Sequence, residues 1–148
     1  MTDQNYTLIL AQVESLLSSE SDQIANAANL STLIYHNVGR INWVGFYFER
    51  DGELVLGPFA GQLACTRIQI GEGVCGTAYA KQEPLLIEDV HQFEGHIACD
   101  VASESEVVVP FKTSRLSGVL DIDSPEKARF GQAEKDFFEA IAKLYAAS

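Results

Sequence analysis

Residues 106–123, EVVVPFKTSRLSGVLDID, contain two apolar runs that flank a short polar turn. Within the second run, Leu120-Asp121-Ile122-Asp123 alternates apolar and acidic side chains. Such an alternation is typical of a strand with one buried face. The segment therefore predicts an antiparallel hairpin, formed by Glu106 to Lys112 and Leu116 to Asp123.

The acidic residues of this hairpin are candidates for a functional site. Asp121 and Asp123 are two apart in a strand, so their side chains point to the same face of the sheet. A turn centred on Thr113-Ser114 would set Glu106 opposite Asp121 and cluster three carboxylates. Because like charges placed opposite each other destabilise a sheet, three interpretations stay open: a solvated polar face, a cation-binding patch, or coupled carboxyl groups of which one has a pKa raised enough to donate a proton.

Outside this hairpin, the pattern predicts helices towards both ends of the chain and strands between them. Helical spacing covers Tyr6 to Ser18, a second segment that ends near Val38, and residues 137–145. Aromatic and branched residues at 41–48, followed by Arg50-Asp51-Gly52, predict another hairpin. This order of elements predicts an α+β domain, in which N- and C-terminal helices pack on one face of a central antiparallel sheet and loops close a pocket on the other.

Length and charge limit the classes of function. The 148 residues fit one domain, spanning 1–148. With 10 basic and 21 acidic residues, the net charge of −11 repels phosphate backbones and anionic membrane surfaces. No apolar run has the length of a membrane span, and the first residues lack the basic charge of a secretory signal. We therefore expect a cytoplasmic protein with no nucleic-acid or membrane partner.

Trp43 and Tyr47 form a second candidate group. They are four apart in a predicted strand and therefore share a face. Ordinary aromatic packing is the more common use of such a pair. The functional alternative is an aromatic wall against a methyl group or a sulfur centre.

The three cysteines, Cys65, Cys75 and Cys99, permit several kinds of chemistry. An odd number in a reducing compartment argues against a framework of structural disulfides. No C-x-x-C pair exists, so the spacing of a zinc ribbon is absent. Buried inert thiols, ligands of a metal site assembled in space, and redox groups all stay open.

Cys99 lies in the least regular part of the chain. The segment 89–105 lacks any periodicity and also carries His91, His96 and Asp100. Loops of this length in compact domains are usually functional or disordered, and the composition here is not that of a disordered segment. We therefore expect a functional loop, although the spacing does not place either histidine next to the thiol.

Six stretches resemble the free methionine-(R)-sulfoxide reductases, which are stand-alone GAF domains. They are Trp43-Val-Gly-Phe-Tyr, Gly57-Pro-Phe, Gly73-Val-Cys-Gly-Thr-Ala, Glu88-Asp-Val-His, Gly95-His-Ile-Ala-Cys-Asp and Gly118-Val-Leu-Asp-Ile-Asp-Ser. The resemblance covers nearly the whole chain, and all three cysteines fall where the family has them. It implies a GAF-like (PAS-like) fold.

The resemblance also implies roles for individual residues. Cys99 matches the catalytic cysteine, Cys65 the main resolving cysteine and Cys75 an auxiliary one. No metal or other cofactor is implied, thioredoxin is the implied reductant, and members of the family often form homodimers. The substrate pocket of the family matches Trp43, Tyr47, Glu106, Asp121 and Asp123.

Taken together, these observations predict an enzyme that reduces free methionine-(R)-sulfoxide to methionine. A neutral carboxyl group among Glu106, Asp121 and Asp123 would protonate the sulfoxide oxygen. The Cys99 thiolate would attack sulfur and become a sulfenic acid, which Cys65 would convert into a disulfide. The remaining carboxylates would hold the ammonium group of the free amino acid. A non-catalytic GAF module that binds a small ligand and a thiol redox switch are the alternatives, and neither would show turnover.

Overall fold

The computed structural model describes residues 3–95 and 102–148. Within these ranges the chain forms one antiparallel sheet with the strand order β3-β2-β1-β6-β5-β4. The elements are α1 (Asp3–Ser18), α2 (Gln23–Asn37), β1 (Trp43–Arg50), β2 (Glu53–Gly61), β3 (Arg67–Gln69), α3 (Gly73–Lys81), β4 (Leu85–Ile87), β5 (Ser105–Lys112), β6 (Ser117–Ser124) and α4 (Gln132–Ala147), with a 3-10 turn at Val90–Gln92.

Local sequence signals explain where several of these elements begin and end. Asp22 caps α2, because its side chain accepts a hydrogen bond from the backbone N–H of Ala25 at 2.8 Å. Between β1 and β2, Asp51 (φ 52°) and Gly52 (φ 88°) both adopt the left-handed conformation that a two-residue hairpin turn requires. The predicted first hairpin is confirmed.

The β5–β6 hairpin is also confirmed, and a threonine closes its turn. The backbone N–H of Thr113 donates to the carbonyl of Leu116 at 2.7 Å. In return, Thr113 Oγ1 accepts from the N–H groups of Arg115, at 3.1 Å, and Leu116, at 2.9 Å. The side chain thus replaces the glycine or asparagine that tight turns usually contain. The turn is centred on Ser114–Arg115, one residue later than the sequence analysis predicted.

The sheet separates two apolar clusters with different covers. On the three-helix face, α2 and α4 pack against the strands and α1 packs on both helices. Val44, Phe46 and Phe48 of β1 point into this cluster. On the opposite side, which we call the α3 face, Trp43 and Tyr47 of β1 pack below α3. The predicted packing of the terminal helices on one face is therefore confirmed, while α3 joins the loops on the other.

The sequence also predicts a strand from Leu63 to Ile68, and this strand is largely absent. Only Arg67–Gln69 forms a strand, while residues 62–66 have no regular structure and the side chain of Leu63 is 87% exposed. In this segment the carbonyl groups of Gln62 and Cys65 accept hydrogen bonds from side chains of β1. This segment, residues 62–66, is called the Cys65 loop below.

Candidate active site

The α3 face brings together the three acidic residues of the β5–β6 hairpin. Glu106 stands opposite Asp123, and Val108 stands opposite Asp121, so the predicted pairing of Glu106 with Asp121 is wrong. Moving the centre of a turn by one residue shifts the register by two positions, which keeps every side chain on its face. Glu106 therefore lies diagonal to Asp121. All three residues are at most 8% exposed, so the cluster is not a solvated polar face.

Burial raises the pKa of Glu106 and of Asp121 well above the usual range. Loss of hydration is the main cause for both groups. The negative charge of Asp121 raises the pKa of Glu106 further, and that of Asp123 raises the pKa of Asp121. The cluster can therefore hold a neutral carboxyl group that is able to donate a proton.

One carboxylate oxygen of the cluster lacks a hydrogen-bond donor among the described residues. Asp121 Oδ1 is buried and accepts no hydrogen bond from any residue that the structure describes. A buried carboxylate oxygen in this condition is costly unless it is protonated or meets a donor. An ammonium group has three donors and a positive charge, so it would satisfy this oxygen and offset the repulsion between the carboxylates.

Beside the carboxylates stands an aromatic wall, formed by Trp43, Tyr47 and Phe59. The ring centroids of Trp43 and Tyr47 are 6.0 Å apart. Phe59 of β2 also stacks on Trp43, with 5.3 Å between centroids. Trp43 and Tyr47 are each 2% exposed, and their strand pairs with β6, which carries Asp121 and Asp123. A group held by the carboxylates therefore lies next to flat, polarisable surfaces.

Gly45 makes this wall possible, a role that was not predicted from the sequence. It lies on β1 between Trp43 and Tyr47, opposite Asp121 and Phe59. A Cβ atom on Gly45 would lie 2.3 Å from the Cβ of Phe59 and 2.7 Å from Cη2 of Trp43. The available signal was a glycine in the middle of an aromatic strand, which often marks a close approach of another group.

The polar atoms of Trp43 and Tyr47 point to the Cys65 loop. The indole N–H of Trp43 donates to the carbonyl oxygen of Gln62 at 3.1 Å. The hydroxyl of Tyr47 donates to the carbonyl oxygen of Cys65 at 2.9 Å. Burial, followed by the nearby thiol and carboxylates, raises the pKa of Tyr47, so this hydroxyl keeps its proton.

Cys75 lies near the first turn of α3, in contact with the carboxylates. Its Sγ and one carboxylate oxygen each of Glu106 and Asp121 all lie within 4.8 Å of one another. Burial, and then the charges of Asp121 and Glu106, raises the pKa of this thiol, which therefore stays protonated. One sulfur and two carboxylate oxygens also form a donor set that a divalent cation accepts. The expectation that no metal is used stays a prediction.

The described cysteines, Cys65 and Cys75, differ in their bonding state. Cys65 is disulfide-bonded, whereas Cys75 is free. The predicted nucleophile Cys99, together with His96 and Asp100, lies outside the described residues.

The structure describes both ends of the loop that carries the predicted nucleophile. The backbone N–H of Val90 donates to the carbonyl of Glu104 at 2.9 Å. His91 Nε2 lies 2.5 Å from Glu104 Oε2, and Asp89 accepts a hydrogen bond from the backbone N–H of His91 at 3.1 Å. These contacts tie the beginning of the loop to its end, and His91 lies at the base of the loop.

Comparison with known proteins finds similar sequences over nearly the whole chain. The GAF domain family matches residues 21–148. The free methionine-R-sulfoxide reductase of Escherichia coli is 48% identical over 132 residues, which cover 88% of this chain and 80% of that protein.

Two solved structures share both the fold and the sequence. The fRMsr protein of Staphylococcus aureus in its reduced form has a TM-score of 0.93 and 49% identity, covering 97% of this chain and 94% of that one. The free methionine-R-sulfoxide reductase of Neisseria meningitidis, solved with its substrate, has a TM-score of 0.93 and 41% identity, covering 99% and 90%. The predicted GAF fold is therefore confirmed.

The described part of the chain contains no helix that is both long and apolar enough to cross a bilayer. The sheet that carries the buried carboxylates and the aromatic wall has the same fold as those two structures. The chain belongs to the free methionine-R-sulfoxide reductase family of GAF-domain proteins.

Proposed function

We propose that the protein reduces free methionine-(R)-sulfoxide to methionine. The observation that carries the proposal is the buried cluster of Glu106, Asp121 and Asp123 beside the wall of Trp43 and Tyr47. A free amino acid brings an ammonium group, an apolar arm and a sulfoxide. The cluster can bind the ammonium group through its negative charge and can donate a proton to the sulfoxide. The wall offers an apolar surface to the S-methyl group.

The carboxylates divide two tasks between them. Sulfoxide sulfur is a poor electrophile until its oxygen is protonated, so one carboxyl group has to be neutral. Glu106 is the proposed donor, because burial and the neighbouring Asp121 raise its pKa. Asp121 and Asp123 hold the ammonium group, which supplies the donor that Asp121 Oδ1 needs. A methionine sulfoxide within a peptide has an uncharged amide nitrogen, so this cluster favours the free amino acid.

The thiol steps follow from the proton transfer. The Cys99 thiolate attacks the sulfoxide sulfur, the protonated oxygen passes to the cysteine, and methionine leaves. Cys99 is then a sulfenic acid. The Cys65 thiol attacks it, which forms a disulfide and releases water. Cys65 is disulfide-bonded and Cys75 is free, which supports this pairing. Cys75 is then the auxiliary thiol.

Recycling requires an external reductant. We infer that thioredoxin reduces the disulfide by thiol–disulfide exchange and returns both cysteines to thiols. Such recycling takes place in a reducing compartment, so the proposal includes a cytoplasmic location. A homodimer and a single domain over residues 1–148 are also part of it.

Turnover with a defined epimer tests the reaction. The protein is incubated with racemic methionine sulfoxide and dithiothreitol, and chiral chromatography follows both epimers and methionine. We expect methionine to appear at the expense of the R epimer alone. Binding of the sulfoxide without consumption would instead support a ligand-binding GAF module, and loss of both epimers would contradict the proposed pocket.

Two cysteine variants test the order of the thiol steps. Cys99→Ser should abolish turnover, since it removes the nucleophile. Cys65→Ser should still form about one methionine per protein and then recycle poorly, with partial rescue by Cys75. Mass spectrometry of the oxidised, unsubstituted protein should find a Cys65–Cys99 linkage. A Cys65–Cys75 linkage with Cys99 free would reverse the assignment.

A further inference from the structure

The aromatic wall and the Cys65 loop are physically joined. Both polar hydrogens of the Trp43–Tyr47 pair are used on this loop, at the carbonyl groups of Gln62 and Cys65. A third bond, from the backbone N–H of Leu56 to the carbonyl of Thr66 at 3.0 Å, closes the far end of the loop. The loop is thus held at three carbonyls, and of these three contacts the one from Tyr47 falls on the cysteine.

Tyr47 is a rigid anchor, whereas the loop is not. The ring of Tyr47 is 2% exposed and lies in a central strand that is paired on both sides. The Cys65 loop has no regular structure, and its Leu63 is 87% exposed. A hydrogen bond from such a fixed group restricts the positions that a segment without regular structure can take.

From these contacts we propose that the Tyr47 hydroxyl is a positioning group for disulfide formation: it holds the backbone of Cys65 so that this thiol reaches the sulfenic acid. The inference rests on the proposed function and concerns its second step. In that step the sulfenic S–O bond breaks, an S–S bond forms, and the oxygen leaves as water with the proton of the Cys65 thiol. The two sulfur atoms have to approach to about 2.05 Å, so the rate depends on how well the loop is held.

The test is a competition for the sulfenic acid. Reduced protein receives one equivalent of methionine-(R)-sulfoxide in the presence of dimedone, which alkylates sulfenic acids. The dimedone concentration is set so that the unsubstituted protein divides evenly between adduct and disulfide. The ratio of the two products, read by mass spectrometry, does not depend on how fast the sulfenic acid forms. We expect Tyr47→Phe to shift this ratio about three- to tenfold towards the adduct, the factor typical of one neutral hydrogen bond.

A matched control removes a different, partly buried hydroxyl. Tyr79 of α3 packs against the same apolar cluster, and its hydroxyl is 2.7 Å from Ser117 Oγ. Tyr79→Phe should leave the ratio unchanged. In a Cys65→Ser background, where no Cys65 disulfide forms, Tyr47→Phe should add nothing to the adduct fraction. A loss of folding would not imitate this pattern.

Several results would overturn the inference. An unchanged ratio in Tyr47→Phe would show that the hydroxyl does not position the thiol. An equal shift in Tyr79→Phe would mean that general loosening of this face is responsible. If Tyr47→Phe does not fold, Trp43→Phe removes the bond to Gln62 and should shift the ratio in the same direction. Absence of any methionine in the unsubstituted protein would instead refute the proposed function.

Discussion

The three-helix face and the α3 face of the sheet share β1, β5 and β6 but bury different kinds of side chains. From β1, the former takes Val44, Phe46 and Phe48, and the latter takes Trp43 and Tyr47. Alternation along a strand sends neighbouring residues to opposite faces. One set of strands therefore supplies both the core and the candidate site.

The two faces differ in the charge of the polar residues that they bury. The polar residues that α2 buries on the three-helix face, Gln23, Asn26 and Ser31, are uncharged and lie beside an apolar and aromatic cluster. The α3 face buries Glu106, Asp121 and Asp123 beside aromatic rings, although like charges in a low-dielectric site reduce stability. This difference indicates that the three-helix face stabilises the fold and offsets the destabilising charges buried on the α3 face. The predictions below test this division between stability and function.

The largest effect should come from the three-helix face. Phe46 is fully buried and its ring contacts Phe48, Phe111 and Tyr145. Phe46→Ala should lower the free energy of unfolding by about 3–5 kcal/mol, because it removes contacts and leaves a cavity. Urea unfolding measures this change. Below the unfolding transition, the KM for the sulfoxide should stay the same, and a raised KM would show that the two faces are coupled.

Glu106→Gln should have the next largest effect, and on the opposite property. The amide keeps the shape of the side chain but has no carboxyl proton to donate. We expect kcat to fall about a hundredfold or more, which corresponds to about 2.7 kcal/mol. Steady-state kinetics measure it. Glu53→Gln, which alters an ion pair with Arg67 on the sheet edge, is the matched control and should retain full kcat.

Asp121→Asn and Asp123→Asn should weaken binding more than chemistry. Each removes a negative charge from the proposed ammonium site, so we expect KM to rise about tenfold, or about 1.4 kcal/mol, with a smaller change in kcat. N-acetyl methionine sulfoxide, which lacks the ammonium group, sharpens the test. The unsubstituted protein should discriminate strongly against it, and both variants should discriminate less. Wild-type KM and kcat in both aspartate variants and in Glu106→Gln would remove the cluster from the mechanism.

The smallest effect should appear in the pH dependence of stability. Folding raises the pKa of Glu106 and of Asp121, so the folded protein binds more protons than the unfolded chain above the ordinary carboxyl pKa of about 4. The free energy of unfolding should therefore fall as the pH rises from about 4 towards the raised pKa values. Urea unfolding at a series of pH values measures the slope. Glu106→Gln and Asp121→Asn should flatten it, whereas Phe46→Ala should leave it unchanged, and a flat profile in the unsubstituted protein would contradict the assigned direction.

Much of the candidate site follows from short-range rules. The strand period of two put Asp121 and Asp123 on one face, and the spacing of four did the same for Trp43 and Tyr47. These inferences need no knowledge of the turn, because a register change by an even number of residues keeps the faces. The turn itself was beyond such rules. Thr113 Oγ1 closes it through hydrogen bonds to two backbone N–H groups, and that choice moved the partner of Glu106 from Asp121 to Asp123.

The sequence by itself determined the α+β order of elements, the faces of the strands and the family, because periodicity and motifs are local properties of the chain. Only the tertiary structure decided that the three carboxylates are buried, that Gly45 is required by the rings around it, and that the residues before Arg67 form a loop instead of a strand. Burial and hydrogen bonding to Trp43 and Tyr47 arise from groups far apart in the sequence. Their energies depend on which residues meet in space, and no window along the chain contains that information.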